Sequence, residues 1–346
     1  MADPARIGLV GYGKGGRYFH APLLANAPGC ELAGAVTRST ERRAELACDF
    51  PGVPAYDSLA DLVESGVDAV AITTPLDTHL DLVHEAIRLG VPTVCDKPFA
   101  PDAATAREAV EAAERAGVLL SVYQNRRWDA DFLTVARLVD SGELGTVARF
   151  ESRMEQYRPE GGFTPVSGGL LRDFGSHVVD QAMRLFGPVS SVYAEKNALP
   201  GTDELDTWFF SALRHRNGIT THVWGDLDLQ GGRGWRFRVT GSGGTLAMAD
   251  DDGQSEQLLA GRSPATEGET WGSVPQQRWG RLYRAGIEET VPSEQGDWMR
   301  FYAGLAAAVR GDAGVPVDPW DSVAVLEVLD AARTSSTTGQ VVGLPR

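Results

Sequence analysis

The stretch from Arg6 to Leu24 constrains this chain most. A short apolar strand, Arg6–Val10, runs into Gly11-Tyr12-Gly13-Lys14-Gly15-Gly16, which satisfies G-x-G-x-x-G, and then into a helical segment. Such glycines serve a tight turn, a close approach of backbone to a pyrophosphate, and close packing of helix on strand. The helix that follows offers free N–H groups to the phosphates. A glycine-rich turn alone is a weak signal, but one that leaves a first strand and opens a helix points to a bound dinucleotide. Pro22 lies inside the following helix and, lacking an N–H, is expected to kink or break it. His20 reads as a packing or hydrogen-bonding residue.

The second strand, Glu31–Thr37, ends where a dinucleotide fold reports its cofactor. An NAD site carries Asp or Glu there to bond the ribose hydroxyls. This chain has Thr37-Arg38-Ser39 and no acid. A guanidinium flanked by two hydroxyls suits a 2′-phosphate, so NADP is the preferred cofactor and NAD the other possibility. The competing reading is a solvated arginine in a loop.

The alternation of strand and helix continues. Ser39-Thr40, Ser58 and Thr78 are expected to cap helices that reach Asp49, Ser65 and Gly90. Ala69–Thr73 is a continuous apolar run of the kind buried on both faces of a parallel sheet. It leads into Thr74-Pro75 at the carboxyl edge, where ligands bind in such folds. Thr93–Cys95, a helix over Asp102–Gly117 and a strand over Val118–Tyr123 follow. Six strands separated by helices predict a doubly wound parallel sheet. At the end of the fifth strand, Pro98 keeps Lys97 extended. A lysine there can stabilise a developing alkoxide, although a surface lysine would read the same.

From Thr146 the pattern changes to long alternating segments: Thr146–Arg158, Val189–Asn197, Thr207–Leu213, Ile219–Leu229 and Trp235–Thr240. Alternation with short turns predicts a large open, mainly antiparallel sheet with one covered face. The fold class is therefore α/β, with a Rossmann dinucleotide-binding domain over 1–127 and an α/β substrate-binding and oligomerisation domain over 128–346. The segment Asp250–Gln295 reads as an irregular insertion without chemistry, and two closing helices follow it. Asn125 and Arg126 leave the sixth strand at its ligand edge and can bond a hydroxylated substrate. Arg127 and Trp128 read more simply as packing.

Composition excludes several partners. The 346 residues carry a net charge of −15 and no basic block, which disfavours nucleic acid and anionic membrane surfaces. No run approaches the roughly 18 apolar residues of a spanning helix. Three scattered cysteines suit a reducing cytoplasm and have no metal-ligand spacing.

One further run, Gly168–Asp180 (G-G-L-L-R-D-F-G-S-H-V-V-D), concentrates chemistry. A helix starting near Asp173 puts His177 one turn on and on the same face. Taken alone, this is an acid/base pair, half of a metal site, or a surface pair. Zinc is disfavoured because no second histidine or cysteine lies near in sequence.

Together, G-Y-G-K-G-G-R-Y-F-H-A-P-L-L, D-K-P and the Gly168–Asp180 run resemble the glucose–fructose oxidoreductase/inositol dehydrogenase (Gfo/Idh/MocA) family over essentially the whole chain. Ser121–Thr134, Tyr157–Glu160 and Asp173–Gln181 look most like its NADP-dependent scyllo-inositol dehydrogenases. The resemblance implies hydride transfer between NAD(P) and a sugar, cyclitol or related polyol. It places catalysis on Lys97, Asp173 and His177. The nucleotide would fall on Gly11–Gly16, Thr37–Ser39, Thr73, Thr74, Pro75, His79, Asp96, Lys97 and Gln124. The substrate would meet Lys97, Asn125, Arg126, Tyr157, Asp173 and His177, without metal. A cytoplasmic homodimer or homotetramer is implied. Asp96 replaces the glutamate usual in the family's E-K-P, which alters the reach of that carboxylate. Family members of other classes, nucleotide sensors without catalysis or enzymes using tightly held NAD for hydrolysis or epimerisation, are the alternatives. Sensors lose the lysine or histidine, and this chain keeps both.

Overall fold

The computed structural model describes residues 3–156, 168–198, 205–227 and 231–345. They fall into two compact units: Met1–Asn125 with Gly253–Trp271 and Asp297–Val323, and Arg126–Asp252 with Gly272–Gly296 and Ala324–Arg346.

In the first unit, strands β1 (Ala5–Val10), β2 (Cys30–Val36), β3 (Ala55–Tyr56), β4 (Ala69–Ile72), β5 (Thr93–Cys95) and β6 (Leu120–Val122) form one parallel sheet, ordered β3-β2-β1-β4-β5-β6. This is the doubly wound order, and its direction reverses between β1 and β4, where such sheets open a crevice for ligands. Helices cover both faces, so β4 is fully buried and its sequence is an unbroken apolar run.

The helices are α1 (Ala21–Leu24), α2 (Thr40–Asp49), α3 (Leu59–Glu64), α4 (His79–Arg88) and α5 (Ala103–Ala116). Ser39, Ser58 and Asp102 cap α2, α3 and α5 by accepting from the N–H of Arg42, Asp61 and Thr105. Thr78 does not cap α4. A 3-10 turn over Leu76–Thr78 leads into that helix, and the Thr78 hydroxyl instead donates to the Pro75 carbonyl at 2.7 Å. Pro22 breaks the first helical stretch: a π-type turn over Gly15–His20 ends, and Pro22 sits in the first turn of α1, where a missing N–H costs nothing.

The second unit holds α6 (Ala130–Asp140), β7 (Val147–Glu155), α7 (Leu170–Phe186), β8 (Val189–Ala198), β9 (Asp206–His215), β10 (Thr220–Asp226), β11 (Phe237–Gly241), β12 (Gly244–Met248), β13 (Gly280–Arg284), β14 (Ile287–Val291) and β15 (Val342–Gly343). They form a nine-stranded sheet, β14-β13-β12-β11-β7-β10-β9-β8-β15. All pairs are antiparallel except β7 with β10. Phe150, Phe209 and Phe237 are fully buried, alternating with polar residues along their strands as a one-faced core requires. Helix α7 packs on β7, β9 and β10. It begins at Leu170, one turn earlier than the expected start near Asp173.

The expectation of an irregular stretch at Asp250–Gln295 is corrected. Short helices occupy Gln254–Leu259 and Pro264–Glu267, and β13 and β14 form a hairpin. Its turn puts Ala285 at φ 48° and Gly286 at φ 83°. Two left-handed residues make the turn that matches strand twist. Alanine in the first of these positions hides it from sequence, and β14 is exposed except at Val291, so its alternation is also blurred.

Candidate active site

The glycine turn after β1 shapes the candidate site of the first unit. Gly11 has φ 107°, a conformation open to glycine and costly for other residues. A Cβ on Gly16 would lie 2.2 Å from the Gly11 carbonyl oxygen and 2.7 Å from Thr73 Oγ1, so no side chain fits there. Beside this turn is a cavity of ≈ 350 Å³ lined by Gly11, Gly13, Lys14, Gly15, Arg42, Thr73, Thr74, Pro75 and Asp96. Eight of these nine follow from the sequence; Arg42 does not.

The other expected nucleotide residues do not line that cavity. Tyr12 is buried and its hydroxyl donates to Asp49 at 2.9 Å. Thr37 is buried and its carbonyl accepts from Arg43, while the Ser39 hydroxyl is committed to the α2 cap. Arg38 is exposed. His79 is buried, with its ring nitrogens 3.0 Å from the Pro98 carbonyl and 2.8 Å from the Thr74 carbonyl. It therefore ties the ends of β4 and β5 together from behind. Lys97 is half-buried and joined to Pro98 by a cis peptide bond. Gln124 is buried, and its Oε1 has no hydrogen-bond partner among the described residues.

The cations of the first unit differ in their pairing. Arg17 pairs with Glu45 and Asp49, and Arg43 with Asp57. Among the described residues, Lys14, Arg38 and Arg42 have no carboxylate partner. Cations without a carboxylate partner among the described residues and a cradle too narrow for a Cβ fit the pyrophosphate of a dinucleotide.

Asp96 closes the other end. Its Oδ1 accepts from the Lys97 N–H at 2.7 Å, and its Oδ2 lies 3.4 Å from His20 Nε2. Burial opposes its ionisation, but the nearby His20, with Lys97 and His79, prevails and holds the carboxyl below its usual range. His20 is in turn fixed by Tyr302, whose Oη is 2.6 Å from Nδ1, and by Tyr123, with ring centroids 4.1 Å apart. The link to Tyr302 spans 282 residues and carries no sequence signal.

In the second unit, Asp173 lies in the first turn of α7 and His177 one turn later. Asp173 is half-buried and His177 is 5% exposed. A carboxylate in the first turn is favoured by the helix dipole. The start of α7 is held by Asp206, which accepts from the Leu171 N–H at 2.6 Å and lies 3.6 Å from Lys196. Asn125 and Arg126 are both buried. The guanidinium of Arg126 donates to Asp129 at 2.9 Å. Arg127 makes two bonds to Asp180, at 2.9 and 2.6 Å. Tyr157 lies outside the described residues. Among the described residues, no group of three or more His, Cys, Asp or Glu is arranged to hold a metal ion, and no helix is long and apolar enough to cross a membrane.

Buried acids at the start of α6 make stability depend on pH. Asp131 is 2% exposed and its carboxyl is pushed up to about 6, chiefly by burial, with Arg236 opposing and Asp252 and Asp251 reinforcing. The folded protein therefore keeps a proton that the unfolded chain releases near pH 4. Stability tied to that proton is present at low pH and is lost as pH rises from about 4 to about 6, by up to roughly 3 kcal/mol. Denaturant unfolding of wild type and Asp131→Asn from pH 4 to 7.5 is expected to show the wild type losing ground as pH rises. Parallel curves would refute it.

The comparisons with known proteins agree with this architecture. Residues 5–124 match the model of the oxidoreductase family with an NAD-binding Rossmann fold, and residues 132–247 match the GFO/IDH/MocA C-terminal domain. The chain belongs to the Gfo/Idh/MocA family of oxidoreductases. Among its relatives is YdgJ of Escherichia coli, an uncharacterised oxidoreductase, 34% identical over 97% of each chain. Another is the scyllo-inositol 2-dehydrogenase (NADP(+)) IolW of Bacillus subtilis, 31% identical over 99% of this chain and 96% of that one. The solved structure of YPO2259 from Yersinia pestis superposes with a TM-score of 0.91 at 32% identity, covering 100% and 99% of the two chains.

Proposed function

We propose that this oxidoreductase transfers hydride reversibly between NADP(H) and a secondary carbinol of a cyclitol, sugar or related polyol. The bound nicotinamide supplies the hydride acceptor and donor. His177 takes the hydroxyl proton during oxidation and returns it during reduction, and a histidine suits this exchange near neutral pH. Asp173, one helical turn before it, orients and supports the imidazole. Lys97 donates to the substrate oxygen and stabilises it as alkoxide character develops. Lys14, Arg38 and Arg42 hold the phosphates, and Gln124 supplies an acceptor to the cofactor's amide end.

The observation that carries this reading is that the chain keeps a half-buried lysine at the end of β5 and an Asp–His pair one turn apart in α7. A carbinol oxidation needs both an alkoxide stabiliser and a proton carrier. The choice of a cyclitol, and of NADP, is supported by the full-length likeness to a relative named as an NADP-dependent scyllo-inositol dehydrogenase. A panel of inositols and common aldoses and ketoses with NADP and with NAD, followed at the nicotinamide absorbance, is expected to give turnover with at least one polyol and NADP. No turnover with any of them would refute the substrate class. The working form is expected to be a homodimer or homotetramer, and a monomer in sedimentation would refute that.

A further inference from the structure

Helix α7 is anchored within its own unit at two levels, on either side of Asp173 and His177. The first anchor is the Asp206 carboxylate on the Leu171 N–H, which fixes the helix along its axis. The second is a buried polar hub one turn beyond His177. Gln181, fully buried, donates from Nε2 to the Arg126 carbonyl at 2.9 Å and accepts at Oε1 from Arg236 Nη2 at 2.9 Å. Residues four apart on a helix share a face, so a bond at Gln181 sets the rotation at which α7 presents His177.

Arg236 is itself immobilised. It is 5% exposed, its Nε is 3.0 Å from Asp131, its Nη1 donates to Ser152 Oγ at 2.9 Å, and its guanidinium carbon lies 3.9 Å from the centroid of the Phe237 ring. A planar fork satisfied on several sides tolerates little displacement. Such a cluster is an expensive way to fill a core. Desolvating a guanidinium and a carboxylate is costly, and apolar residues of like volume often stabilise as well. Stability alone does not explain polar residues here, whereas directional bonds one turn from His177 do.

We infer that Gln181, held by Arg236, is a positioning residue for His177. The inference rests on His177 being the proton carrier. It predicts that breaking the hub misaligns the imidazole without unfolding the unit or loosening the nucleotide.

The test uses full-length protein with NADP and isotopically labelled histidine. Loss of a signal in His177→Gln assigns that residue among the six histidines. In Gln181→Met, the His177 ring resonance is expected to move, and its titration midpoint to shift by roughly half a pH unit or more. Turnover of the polyol found in the panel is expected to fall roughly tenfold or more in kcat, with KM for NADP within about twofold. If Gln181→Met does not fold, Arg236→Lys keeps a charge for Asp131 but loses the fork, and the same shifts are expected. A folded variant with wild-type His177 resonance and midpoint overturns the inference. The two readings fail separately: wild-type turnover in His177→Gln sinks the proton carrier, while an inert His177→Gln beside a wild-type Gln181→Met sinks only the hub.

Discussion

Replacing His177 with Gln is expected to lower kcat by roughly 10²- to 10⁴-fold, the usual contribution of a positioned general acid/base. The NADP dissociation constant should change by less than about threefold, because the imidazole is assigned to the substrate hydroxyl and not to the nucleotide phosphates. Lys97→Met should cost roughly 10²- to 10³-fold, as loss of an oxyanion donor does. The two differ in pH behaviour. A missing proton carrier flattens the limb of the pH–rate profile that it governs, and turnover recovers with exogenous imidazole or rising hydroxide. A missing alkoxide donor lowers the whole profile without such recovery. Stopped-flow hydride transfer from pH 6 to 10 separates these cases, and wild-type kcat in either variant would remove that residue from the mechanism.

The sequence carried these roles unevenly, for physical reasons. The doubly wound sheet was legible because parallel strands buried on both faces leave unbroken apolar runs such as Ala69–Ile72. The cradle was legible because only glycine fits where Gly16 meets the Gly11 carbonyl. The i, i+4 spacing of Asp173 and His177 survives the helix starting a turn earlier than expected. Tertiary pairing was not legible. His20 and Tyr302 meet across 282 residues. Arg126, read as a substrate contact, is paired with Asp129 inside the protein. Gln181 in a helix looks like any solvated amide until Arg236 is found opposite it. Arg42 does carry a sequence signal: the Ser39 cap places it in the first turn of α2, one turn beyond Arg38.

That arginine sharpens the cofactor argument. Arg38 alone is an exposed side chain, which is weak support for a 2′-phosphate. Arg42 lines the cavity, with its guanidinium 3.9 Å from where a Gly13 Cβ would be. Arg17 and Arg43, close in sequence to the same loops, are neutralised by Glu45, Asp49 and Asp57, whereas among the described residues Arg38 and Arg42 have no carboxylate partner. A dianionic phosphate would supply the missing partner, since charge-assisted bonds to phosphate favour the guanidinium fork. Because both side chains are exposed, each bond should sit at the low end for its kind. Arg38→Ala and Arg42→Ala are each expected to weaken NADP by roughly tenfold, and together by roughly a hundredfold or more. NAD, which lacks the phosphate, should change by less than about threefold in every variant. Raising the salt from 50 to 300 mM should weaken NADP more than NAD in the wild type and erase that difference in the double variant. Equal losses for the two nucleotides on titration by protein fluorescence would mean that the arginines serve the shared pyrophosphate, and that the chain does not select NADP through them.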